Sequence, residues 1–75
     1  MDFNNLKNSY IAAVRWGLAV KVGYQESKRG NDILHKFCEN YIENSDYDKK
    51  EALKHEIELL KETLAKEIED YYRRG

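Results

Sequence analysis

The chain is 75 residues long, with 13 basic and 14 acidic side chains, a net charge of −1 and no proline. That length supports one domain. A chain so short buries only about 60% of its unfolded surface, so it depends on tight helix packing or on a partner. Its single cysteine, Cys38, excludes an internal disulfide, and no apolar run is long enough to cross a bilayer.

Charge is unevenly spread. Residues 1–36 carry six bases against three acids, and residues 37–75 carry seven against eleven. The halves therefore attract one another within a fold, or one of them meets a charged partner. No block of five like charges gives a basic arm or an acidic tail. The start of the chain lacks a basic segment followed by an apolar run, so the expected compartment is the cytoplasm. Lysine outnumbers arginine and asparagine is frequent, a composition that suits an AT-rich genome such as many phages have.

Asn4 or Asn5 is placed to cap a first helix, expected over about residues 6–24. Its apolar residues form two neighbouring stripes. One holds Ile11, Val14, Leu18 and Val22, the other Leu6, Tyr10, Ala13, Gly17 and Tyr24. Ala12, Trp16 and Ala19 lie on roughly the opposite side. Leu18 to Tyr24 also alternates and offers a short strand as a competing reading, but one strand has nothing to pair with. Gln25 to Gly30 is polar and basic and reads as a turn. Asn31 or Asp32 then caps a second helix, expected over 32–43, with Ile33, Leu34, Phe37, Cys38, Tyr41 and Ile42 on its apolar face.

The third segment is the most sharply patterned. Leu53, Ile57, Leu60, Leu64, Ile68 and Tyr71 recur at steps of four and three, the period of a straight helix. Ser45 and Asp48 resemble a capping box, which sets the expected helix at 46–74. Glu62–Lys66, Glu69–Arg73 and Asp70–Arg74 are acid-before-base pairs one turn apart, each worth about 0.2–0.5 kcal/mol. The expected fold is all-α, a small three-helix unit with a long C-terminal helix. Leu53, Ile57, Leu60 and Leu64 are expected to pack on Ile33, Phe37 and Tyr41. Both sides of the first helix cannot face one small core, so surplus apolar surface is expected, and with it a homodimer or a larger protein partner.

Chemistry is sparse. His35 and Cys38 share a helix face three residues apart, but zinc needs three or four ligands and the only other histidine is His55. A Cys38–His35 nucleophile pair lacks an orienting third group. The glycines fit no phosphate-binding loop. No catalytic residue, metal or cofactor is therefore expected, and no membrane.

Two surfaces stand out instead. Ala12, Trp16, Ala19, Tyr71, Tyr72 and Arg73 combine aromatic, small and arginine side chains of the kind enriched at protein interfaces. Lys28, Arg29, Asn31 and Lys36 cluster near the expected turn and form a candidate nucleic-acid contact. The glycine spacing of a helix-turn-helix fails there in both registers. The leading expectation is a non-enzymatic helical interaction module, such as a small phage-type regulator or inhibitor that binds a larger protein. The alternatives are a dimeric DNA-binding transcriptional regulator and a structural subunit of a larger assembly.

Overall fold

The computed structural model describes residues 2–74, which form α1 (Phe3–Ala19), α2 (Tyr24–Glu43) and α3 (Lys50–Arg74). No strand occurs among the described residues, Leu18 to Tyr24 included. The C-terminal helix is the longest at 25 residues.

The helices break where backbone hydrogen bonds close them off. α1 opens at Asp2, whose carboxylate accepts the Asn5 N–H at 2.7 Å. This cap precedes the expected Asn4 or Asn5 and brings Phe3 into the helix. α1 stops at Ala19 instead of running on to 24. The Lys21 N–H donates to the Leu18 carbonyl and the Val22 N–H to the Gly17 carbonyl, both at 3.1 Å. Lys21 sits in the left-handed region at φ 59. Together these form a Schellman stop, normally built on glycine. Here a lysine occupies the position, so the sequence carries no sign of it.

Gly23, at φ 107, then turns the chain into α2, and its carbonyl accepts the Ser27 N–H at 2.9 Å. The expected turn at Gln25–Gly30 is thus the opening of α2, and Asn31 and Asp32 lie inside the helix instead of capping it. Ser45 does not start α3. Its hydroxyl donates to the Ile42 carbonyl at 2.6 Å and accepts the Tyr47 N–H at 3.2 Å, which finishes α2. α3 begins only at Lys50, after a left-handed Lys49 at φ 55.

Interhelix ion pairs give the directions. Lys7–Glu56 at 3.3 Å and Arg15–Glu67 at 2.9 Å rise together, so α1 and α3 run parallel. Lys61–Asp32 at 3.1 Å and the Lys54–Glu43 contact run oppositely, so α2 is antiparallel to α3. The result is an elongated up-down-up bundle of 42 × 18 × 17 Å.

The core takes Leu6, Tyr10, Val14 and Leu18 from α1, Cys38 and Ile42 from α2, and Ile57, Leu64 and Ile68 from α3. Residues from both expected stripes of α1 are buried. On α3 the expected period holds, with Leu53 and Leu60 partly buried at its edge. On α2 the expectation is corrected. Ile33 is 59% exposed, Phe37 is 57% exposed, and Tyr41 is only half-buried. The inward line of α2 is Ser27, Asn31, Cys38 and Ile42, which includes two polar residues that hydrophobicity alone passes over.

Those polar residues are tolerated because they are bonded. The Tyr10 hydroxyl donates to Asn31 Oδ1, and Asn31 Nδ2 donates to the Lys61 carbonyl at 3.1 Å. One buried side chain thereby links all three helices. Ser27 Oγ lies 3.5 Å from the Tyr72 hydroxyl, which also accepts the Gly23 N–H at 3.1 Å.

Candidate interaction surface

The flank between α1 and α2 carries most of the large apolar side chains that the bundle leaves exposed. The inward face of α1 runs through Leu6, Tyr10, Val14 and Leu18. By helical register, Ser9, Ala13, Trp16 and Val20 then follow on the side toward α2. The inward face of α2 runs through Ser27, Asn31 and Cys38. Gly30, Ile33, Leu34 and Phe37 follow on the side toward α1.

The two rows meet over shallow hollows. Ala13, Gly17 and Val22 face Gly30 and Leu34 across about 140 Å³, and Leu6 and Ser9 face Leu34 and Phe37 across about 70 Å³. The floor is low because its residues are small. A Cβ added at Gly30 would meet nothing within 4 Å. Of the exposed large apolar residues, Val22 and Phe37 line these hollows. Helical register places Trp16, 69% exposed, with Val20 and Ile33 on the same side of the bundle without lining them. Glu26 is the one charged residue lining the hollows, and Arg29 Nη1 donates to its carboxylate at 3.1 Å. Among the described residues, no ion pair joins α1 to α2.

The sequence-derived residues fall into three groups. Ala12, Trp16 and Ala19 share the outer side of α1, and all three are exposed. Tyr71 and Arg73 are exposed at the end of α3, where Tyr71, Tyr72, Arg74 and Lys21 line an open hollow. Tyr72 itself is partly spent on the fold. Its ring meets Tyr24 edge-on at 5.9 Å, and its hydroxyl takes the Gly23 N–H. Sequence reasoning missed Val20, Val22, Ile33 and Phe37 as surface residues. For Ile33 and Phe37 the available signal was that α2 is apolar over a wider arc than one core can cover.

The basic residues on α2 do not converge. Lys28 Nζ lies over the Tyr24 ring at 4.9 Å, and Arg29 pairs with Glu26. Lys36 is exposed, whereas Asn31 is buried and its amide is used inside the bundle.

A second concave region lies at the α2–α3 corner, an open bowl of about 650 Å³ beside Phe37, Tyr41 and Tyr47. Its rings continue into Phe3, which meets Tyr47 edge-on at 6.3 Å. This aromatic run ties the start of α1 to the second connection.

Cys38 is buried, and burial pushes its thiol up to about 11. At neutral pH it is therefore protonated and a poor nucleophile. His35 Nδ1 stands 3.6 Å from Glu39 Oε1, and its buried Nε2 has no hydrogen-bond partner. Among the described residues, no group of three His, Cys, Asp or Glu side chains is placed to hold a metal ion. No described helix is long and apolar enough to cross a membrane. Compared with protein-family models, curated proteins and solved structures, the chain matches none.

Proposed function

We propose that this chain is a non-enzymatic helical interaction module that presents its α1–α2 flank to another protein, in the manner of a small regulator or inhibitor. The observation that carries this reading is Trp16, 69% exposed, which helical register places on the same side of the bundle as the exposed Ile33 and Phe37. Large apolar side chains scattered singly over a surface need no explanation, but several presented on one side of so small a bundle favour contact. Tryptophan is also the residue most enriched among those that dominate binding energy. The engagement of Lys28 and Arg29 within the protein itself favours a protein partner over nucleic acid.

The test is affinity capture from the native host with the wild type and Trp16→Ala side by side. A protein retained by the wild type and lost by a still-helical Trp16→Ala chain supports the reading. Equal retention by both would remove Trp16 from the working surface. Capture that collapses with added salt and carries nucleic acid would favour the DNA-binding alternative instead.

A further inference from the structure

We propose that the α1–α2 flank is a self-complementary surface whose occupant is a second copy of this chain, with Trp16 of each copy seated over Gly30 of the other. This rests on the reading of that flank as an interaction surface and names its partner.

Three features point to a second copy. The first is that knob and hole lie on one face. Ala13, Gly17 and Gly30 line the same hollow, so Gly30 sits at the height of Trp16 along the bundle. A two-fold axis parallel to the helices lays α1 of each copy over α2 of the other. Trp16 then arrives at the partner copy's Gly30, and the partner copy's Trp16 arrives at Gly30 in return. A closed dimer requires this kind of reciprocity, in which one patch serves both sides.

The second feature is the space at the hole. Nothing lies within 4 Å of where a Gly30 Cβ would be. The absence of a side chain there has no use inside the bundle, and glycine in a helix interior costs about 0.5–1 kcal/mol relative to alanine. A bare backbone does let an indole approach closely.

The third feature is size. Trp16, Val20, Val22, Ile33 and Phe37, at 69%, 47%, 45%, 59% and 57% exposed, together present roughly 500 Å² of mostly apolar residue surface. A standard interface takes about 800 Å² per partner, of which roughly 60% is apolar. The flank supplies that amount with a single lining carboxylate to desolvate.

Trp16 is the only tryptophan, so its fluorescence reports directly on the contact. Sedimentation and emission are followed from about 1 µM to about 1 mM, the span over which a modest dimer assembles. The wild type is expected to form a dimer as its emission moves to the blue. Trp16→Ala should weaken the dimer at least ~30-fold, as for a hot spot. Gly30→Leu guards against a trivial loss of folding. A Cβ at Gly30 meets nothing within 4 Å in the monomer and leucine improves helix propensity, with circular dichroism checking that the variant stays folded. Yet the side chain fills the seat of the partner copy's indole, so the dimer should weaken ~10-fold or more.

A wild type that stays monomeric throughout, with solvent-exposed emission, overturns the proposal. So does a dimer that neither substitution weakens. A monomer that still captures a host protein through Trp16 overturns the second-copy proposal and leaves the interaction reading standing. A monomer that captures nothing overturns both.

Discussion

The two flanks that α3 shares with its neighbours differ sharply from the flank between α1 and α2. Along α3 the seams are closed by charge: Lys7–Glu56 and Arg15–Glu67 toward α1, Lys61–Asp32 and Lys54–Glu43 toward α2. On the α1–α2 side, helical register places Trp16, Val20, Ile33 and Phe37, all exposed. Exposed ion pairs add little stability, so the paired seams are not the stronger ones by virtue of their charges. Their value is directional, since each pair fits only one register of the helices. The α1–α2 flank has apolar surface left over, and its one lining ion pair, Glu26 with Arg29, lies within α2 and sets no register between helices. The α2–α3 seam is the most extensively packed of the three, and α1 lies more lightly on both neighbours, with ion pairs on its α3 side and exposed apolar side chains on its α2 side.

The largest test of that contrast compares two aliphatic residues of similar size. Leu64 is buried at the centre and Ile33 is exposed on the open flank. Leu64→Ala is expected to cost ~2–5 kcal/mol, from lost transfer energy and the cavity left behind. Ile33→Ala at high dilution should cost under ~0.5 kcal/mol, as surface substitutions do. Urea unfolding of both variants checks this, and similar losses would mean that the α1–α2 flank is part of the core.

Next comes alkaline pH, which probes the groups sealed under α1. The Cys38 thiol is raised from 9.0 to about 11 by burial. Burial also raises the Tyr10 hydroxyl, helped by the nearby Cys38 and Asp32. In the unfolded chain both ionise more readily than in the folded one. The stability held by the neutral thiol is thus complete below pH 9 and is lost as pH climbs toward 11. Its full extent is about 2–3 kcal/mol. Thermal unfolding across that range should show the decline, and Cys38→Ala should make it shallower, with the Tyr10 contribution remaining above pH 10; an unchanged slope would show that the thiol is not sealed.

A smaller effect is expected from Tyr10→Phe. The substitution keeps the ring and leaves Asn31 Oδ1 without its donor, for a loss of ~1–3 kcal/mol. A loss near zero in denaturant unfolding would mean that water reaches Asn31. The smallest effect has the opposite sign. Lys21→Gly relieves a left-handed residue at the end of α1 and should add ~0.5–1 kcal/mol. A decrease would show that the lysine side chain holds the end of the bundle.

The parts legible in the sequence were those set by repetition. Ile57, Leu64 and Ile68 announce the inward face of α3 through their spacing, and Trp16 stands out because it opposes the stripe that includes Val14 and Leu18. The breaks between helices were less legible. Ser45 carries the chemistry of a helix start yet bonds backward to Ile42. Lys21 fills a glycine position without being glycine. Asn31 looked like a cap because an asparagine before an apolar run usually is one. Its burial depends on Tyr10 and the Lys61 carbonyl, both distant in sequence. That placement exchanged the expected roles of Ile33 and Phe37 with those of Ser27 and Asn31. Local composition favours the most apolar arc, whereas the tertiary register chose the arc whose polar members could be bonded.

The hydroxyl of Tyr72 gives the chain an order of events in synthesis. The corner between α1 and α2 is made early, but its Gly23 N–H bonds to Tyr72, forty-nine positions later. Tyr24 likewise donates to Glu69. A nascent chain that has not yet emerged through its last helical turn holds α1 and α2 with that corner unfastened. Closing it must wait for contacts of long sequence separation, which slow folding. Until then the faces of α1 and α2 that pack on α3 lack the partner that buries them.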